Sequence, residues 1–167
     1  YCVNGIIKGT KNGYADSQSF IQTDSDKSYI MLLNPVKEFQ NYRVVKHLLS
    51  SPSIAQELEP NEKATIIISS NESGYSSFAV YPKETNFPLK IPSGTDATYE
   101  VTIYLVNNEE ITGGYIGDWQ VSKDALKNAN EVIFHVIEQG QASEDDRFLF
   151  LSGLASYSQQ VPKPEIK

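Results

Sequence analysis

Two histidines, His47 and His135, are the side chains best suited to proton transfer near neutral pH, and they lie far apart in the chain. Neither stands in a His-x-x-x-His or Glu-x-x-His spacing, which would set two ligands on one helical face, so no metal site is indicated. His135 sits in an apolar run and reads as a structural histidine, while His47 lies between Lys46 and Leu48. Serine chemistry lacks its usual setting as well. Asn71-Glu72-Ser73-Gly74 and Leu151-Ser152-Gly153-Leu154 each miss the first glycine of a Gly-x-Ser-x-Gly nucleophile elbow. Gly113-Gly114-Tyr115-Ile116-Gly117 has neither the Walker lysine nor a long helix after it, so no phosphate cradle and no nucleotide cofactor is expected. Asp24-Ser25-Asp26 and Glu144-Asp145-Asp146 supply oxygen ligands suited to Ca²⁺. Neither completes an EF-hand loop, and solvated turns are the favoured reading. Only convergence in space of residues such as His135, Asp118 and Tyr115 would create an active site, so the chain is expected to be no enzyme and to need no cofactor.

Binding is better supplied than catalysis. Ten tyrosines accompany a single tryptophan, and each ring brings apolar area with one polar tip, suited to sugars, lipid headgroups or protein partners. Tyr115 and Trp119, within Gly114-Tyr115-Ile116-Gly117-Asp118-Trp119, together with Tyr75 and Tyr81, are the aromatic recognition candidates, though ordinary sheet packing is the favoured reading of the aromatic content. Cys2 is the only cysteine, which excludes an intramolecular disulfide and a multi-thiolate zinc site. Its place near the start makes it a lipidation candidate of the envelope-lipoprotein kind. Tyr1 ahead of it departs from that processing, and an incidental thiol is favoured. The opening on Tyr1 rather than Met points to a processed start. Asn71-Glu72-Ser73 fits the N-glycosylation triplet, a pattern short enough to arise by chance.

Fourteen basic against 21 acidic residues leave a formal charge of −7, the wrong sign for a surface that displaces counterions from phosphate, so nucleic acid is excluded as a partner. Arg43 and Arg147 are the only arginines, which makes bidentate anion recognition scarce. No apolar run approaches the roughly 20 residues of a membrane-spanning helix.

The elements that must position these residues read mainly as strands. Ser28 to Leu33, Ala64 to Ser69, Ser77 to Tyr81, Thr98 to Val106, Tyr115 to Val121, Glu131 to Glu138 and Arg147 to Ser152 are short β-branched or aromatic runs between turn signals. Tyr99, Val101, Ile103 and Leu105 alternate with Glu100, Thr102 and Tyr104, the pattern of a sheet with one buried face. In Glu131 to Glu138 both faces are apolar: Val132, Phe134, Val136 and Glu138 on one, Ile133, His135 and Ile137 on the other. That strand reads as central. Lys11-Asn12-Gly13, Pro92-Ser93-Gly94-Thr95 and Gly113-Gly114 read as turns, and the prolines of Tyr81 to Pro92 confine that stretch to an edge or a surface loop.

Asn34 as N-cap, Pro35 after it, and Val36, Phe39, Tyr42, Val45, Leu48 and Leu49 at helical spacing favour an amphipathic helix over 36–49. A strand from Tyr42 to Leu49, suggested by Val44-Val45, is the competing reading. Ser122 to Lys127 reads as a short capped helical turn. The tail from Tyr157 to Lys167, interrupted by two prolines, reads as extended or disordered unless a neighbour holds it.

The expected architecture is thus an antiparallel two-layer β-sandwich of seven to eight strands with one or two short helices, one domain over 1–156 followed by a polar tail at 157–167. The expected function is that of a secreted or cell-envelope interaction subunit, a component of a surface fibre or secretion assembly. Its partners would be other protein subunits, copies of itself included. Val3, Ile6 and Ile7 form the candidate strand-exchange segment. The alternative is a secreted carbohydrate- or membrane-binding protein, β-sandwich toxins included. An anionic chain gains no electrostatic help at an acidic lipid surface.

Overall fold

The computed structural model describes residues 5–22, 28–84, 86–140 and 142–167. Strands hold 54% of the chain and helices 14%, so the fold is mainly β. A hairpin of β1 (Gly5–Gly9) and β2 (Ser17–Ile21) comes first. Then follow β3 (Val36–Phe39), β4 (Asn41–Leu48), β5 (Ser51–Glu57), β6 (Glu62–Ser70), β7 (Tyr75–Tyr81), β8 (Leu89–Pro92), β9 (Ala97–Asn107) and β10 (Glu110–Val121). After the short helix α1 (Lys123–Asn128) come β11 (Glu131–Glu138), α2 (Glu144–Ser152), α3 (Leu154–Tyr157), a 3₁₀ turn at Ser158–Gln160 and β12 (Glu165–Ile166).

The main sheet runs β5-β4-β11-β10-β9-β6-β7, with β12 added beside β11, while β3 and β8 form a separate pair. Its ladders are antiparallel except one. β4 and β11 run parallel, with Val44 beside Phe134 and His47 beside Ile137, so the sheet is mixed. In β6 and β9, Ala64, Ile66, Ile68, Tyr99, Val101, Ile103 and Leu105 are buried, which is the one-sided alternation expected of a sheet curled around its core. Phe39, Leu89 and Ile91 of the β3–β8 pair join that core. Trp119 sits inside it, 6.5 Å from the Tyr99 ring and 6.0 Å from Phe134. The curl brings the two ends of the sheet together, because the Tyr42 hydroxyl of β4 donates a 2.7 Å hydrogen bond to the Val80 carbonyl of β7.

One seam is not closed by strands. β10 meets β11 only at Gly113 and Gly114 and then diverges from it. The C-terminal segment fills the gap. Leu154 and Val161 enter the core, the Ile116 N–H donates to Ser158 Oγ at 2.9 Å, and Ser158 donates onward to the Leu154 carbonyl at 2.7 Å. Farther along, β12 pairs with Val132 and Ile133, and the Lys167 carbonyl accepts from Asn130 and Glu131. The tail expected to be extended or disordered is therefore ordered, and this same chain is the neighbour that holds it.

Several local expectations are corrected. Residues 36–49 form no helix: the competing strand reading holds over β4, with β3 ahead of it, because β4 is central and buried on both faces. Ser28 to Leu33 joins no ladder. Arg147 to Ser152 lies in α2, whose first turn is capped by Ser143 and carries Glu144, Asp145 and Asp146, favourably placed at a helix N-terminus. Asn34 caps no helix; its side chain accepts from the Gly94 N–H at 2.6 Å and pins the turn after β8. Gly113-Gly114 is not a turn but the point of close strand approach, where a Cβ would collide with the carbonyl oxygens of Ile137 and Ile103. The β9–β10 turn is made by Asn108 and Glu109 at φ of 48° and 71°. Ser122 caps α1 as expected, accepting from the Ala125 N–H.

Candidate functional site

Because strand side chains alternate, consecutive residues of β4 serve opposite faces, and each carries an ionisable group into a buried place. Lys46 points into the curl, toward β6 and the end of β11. Its Nζ lies 2.6 Å from Glu62 Oε1 and 3.1 Å from Glu138 Oε2, with the exposed Glu59 carboxylate at 3.7 Å. Glu62 is fully buried and Lys46 is 5% exposed. Glu62 Oε2 accepts the Glu59 backbone N–H at 2.6 Å, so both oxygens of this carboxylate have donors. Burial alone lowers the Lys46 pKa, but the hydrogen bonds to Glu62 and Glu138 and their charges outweigh it, and the ammonium is held above its ordinary value.

His47 lies on the other face of the sheet. Its Nε2 shares a 2.9 Å hydrogen bond with His135 Nδ1 from β11, and both rings are buried. The parallel register makes them diagonal neighbours, with His135 beside Val45 and His47 beside Ile137. His135 Nε2 faces Glu165 of β12 at 3.5 Å. Burial pushes both imidazoles below the ordinary histidine value, and for His135 the neighbouring His47 adds to the depression. Glu165 is itself lowered, first by its hydrogen bond to Lys167. The arrangement is one of shared neutral rings rather than of a base aimed at a nucleophile. Asp118 and Tyr115 do not join it: Tyr115 faces the core, and Asp118 is exposed on the opposite face of β10.

The third place is a cleft of about 620 Å³ between the N-terminal hairpin and the body. Tyr14, Tyr75, Gln18, Asp16, Glu38 and Lys90 line it. Tyr75, half-buried, spends its hydroxyl on the Lys90 carbonyl at 2.8 Å. The hairpin forming one wall is joined to the body by the bridge from Tyr14 to Pro35 and by the Val36 N–H donating to the Gly13 carbonyl. On its exposed face Lys8 and Gln18 border the cleft and an apolar pair follows them. Ile6 and Phe20 are cross-strand partners, 59% and 74% exposed, and Ile30 and Leu32 are exposed too.

Of the aromatic candidates, Trp119 and Tyr115 are core residues, each 3% exposed, so their rings serve packing. Tyr81 is half-buried with its ring 6.3 Å from that of Tyr42. Tyr75 borders the hairpin cleft, and Tyr115 contributes to the wall of another beside Gly117 and Val161. Ile6 and Ile7 lie in β1, already paired with Phe20 and Ser19 of β2. Cys2, Val3 and Asp24-Ser25-Asp26 fall outside the described residues. The Lys46 cluster is what sequence reasoning missed; its one available signal is Glu138, a carboxylate on the apolar face of Val132, Phe134 and Val136. Among the described residues, no three His, Cys, Asp or Glu side chains are grouped to hold a metal ion, and no helix is long and apolar enough to cross a membrane. No protein-family model matches the chain, and neither a curated protein nor a solved structure matches it.

Proposed function

We propose that this chain is a non-enzymatic subunit of a secreted or cell-envelope assembly that docks through its N-terminal hairpin onto the body of a second copy. The observation that carries the reading is the exposed cross-strand pair Ile6–Phe20 on a two-stranded hairpin. β1 and β2 pair only with each other among the described residues, so each keeps one edge without a ladder, and β5 and β7 end the main sheet with no strand paired beyond them, the Val80 carbonyl of β7 being taken by Tyr42. Strand addition joins such edges through main-chain hydrogen bonds and leaves side chains to set specificity. Charge favours a head-to-tail contact: residues 5–22 carry Lys8, Lys11 and Asp16, whereas the chain as a whole is at −7. A contact of this kind builds a ring where its rotation closes and a linear assembly where it does not.

Light scattering of the purified chain over a range of concentrations tests the reading. A mass that rises with concentration, and that returns to one chain in an Ile6→Lys/Phe20→Lys variant with unchanged circular dichroism, is the expected result. A single-chain mass at every concentration refutes it.

The cleft favours a second reading, capture of a carbohydrate. Two tyrosines beside Gln18, Asp16 and Glu38 supply the mixture of ring faces and hydrogen-bonding groups that sugar hydroxyls require. A glycan array with the wild type and Tyr75→Ala separates the readings, since hairpin docking predicts no glycan signal.

A further inference from the structure

We propose that Lys46 and Glu62 condense into an amide, a covalent staple between β4 and β6 across the interior of the curl. In the order of the sheet these strands are separated by β11, β10 and β9, and they meet only because the sheet bends back on itself. The elements of an acyl transfer stand together at this point. The nucleophile is Lys46 Nζ, held beside the Glu62 carboxyl group by a 2.6 Å contact with Oε1. Glu138 Oε2, 3.1 Å from the same nitrogen, receives and returns protons. The Glu59 N–H, 2.6 Å from Glu62 Oε2, is placed to hold the negative charge that gathers on that oxygen during attack. Glu62 is fully buried and Lys46 nearly so, which keeps bulk water from competing with the amine or reversing the bond.

The step balances without any added reagent. The Lys46 ammonium passes a proton by way of Glu138 to Glu62 Oε1, and the amine attacks the carbon of the resulting carboxylic acid. A second proton follows the same route from the nitrogen to Oε1, and the bond from carbon to Oε1 then breaks. Of the three ammonium protons, one remains on the amide nitrogen and two leave with Oε1 as water. Glu138 carries them across and ends as it began. The product exchanges a buried ion pair for a neutral amide, which removes the desolvation penalty that an ammonium and a carboxylate both suffer away from water. The new amide N–H faces Glu138, and its carbonyl oxygen keeps the Glu59 donor. The raised Lys46 pKa opposes the first proton transfer, so condensation is slow and follows folding instead of guiding it.

Intact mass of the folded wild-type chain, measured under denaturing conditions after prolonged incubation at neutral pH, tests the proposal. The expected result is a loss of one water relative to the sequence mass, with proteolysis yielding a branched peptide that joins residues 46 and 62. Lys46→Arg should keep the full mass. Glu138→Gln should also keep it while its circular dichroism stays that of the wild type. A wild-type chain at full sequence mass overturns the staple, as does a water loss that maps elsewhere. A branched peptide in Glu138→Gln overturns the role given to Glu138.

Discussion

Replacing Ser158 by alanine tests whether the C-terminal segment truly closes the seam between β10 and β11. The hydroxyl accepts from the Ile116 N–H and donates to the Leu154 carbonyl, and the residue is 3% exposed. With the hydroxyl gone, the Ile116 amide has no ladder partner on that side, because β11 has already turned away. A buried amide left unpaired costs about 1–3 kcal/mol, and the better helix propensity of alanine returns a few tenths. A net loss of about 2 kcal/mol corresponds to a fall in Tm of roughly 4–8 °C for a chain of this size. Thermal and urea unfolding followed by circular dichroism measure both, with Ser156→Ala, exposed in the preceding α3, as the control for removing a serine hydroxyl from this helical stretch. Equal midpoints for Ser158→Ala and Ser156→Ala would refute the seam argument, and the Ile116 amide would then find water when the segment is perturbed.

The histidine pair sets a pH dependence with a definite sign. Both imidazoles titrate below their ordinary value in the folded chain, so the unfolded chain takes up these protons first as pH falls. Their contribution is complete above about pH 6.5 and is lost as pH drops through the folded-state values. Urea midpoints at stepped pH should show this slope, and His47→Gln/His135→Gln should flatten it. Trp119→Ala, which empties the core between Tyr99 and Phe134, should cost about 3–5 kcal/mol in urea unfolding. Gly114→Ala, whose Cβ would meet the Ile103 carbonyl, should cost about 3 kcal/mol or abolish soluble expression. Tyr99, buried with its hydroxyl on the Pro92 carbonyl, is pushed up to about 12, so ultraviolet titration should find it among the last tyrosines to ionise.

How far the fold could be read from residue order depended on burial. β9 buries one face, and its period of two survives in the sequence. β4 is buried on both faces, so Tyr42 and Val44 on one side and Val45 on the other erase that period. The remaining spacing of Phe39, Tyr42 and Val45 imitates a helix. β11 has the same two-sided burial, yet Val132 to Ile137 is a β-favouring run interrupted only by His135 and stays legible. Arg147-Phe148-Leu149-Phe150 fails in the opposite direction: it reads as a strand, but Ser143 and three acidic residues start a helix there, and Phe148 and Leu149 remain exposed. The candidate sites were less accessible. His47 and His135 are 88 positions apart, and only the parallel register of β4 against β11 makes them neighbours. Lys46, Glu62 and Glu138 come from three strands that no local pattern connects.

That parallel register governs the order in which the molecule can be completed. On the ribosome, β4 emerges long before β11 and must wait for its parallel neighbour until residues through Glu138 have been threaded out and the sheet can zip. Nascent chains halted before Glu131 should therefore remain collapsed and sticky, prime clients for a holding chaperone, whatever the strength of their hairpins.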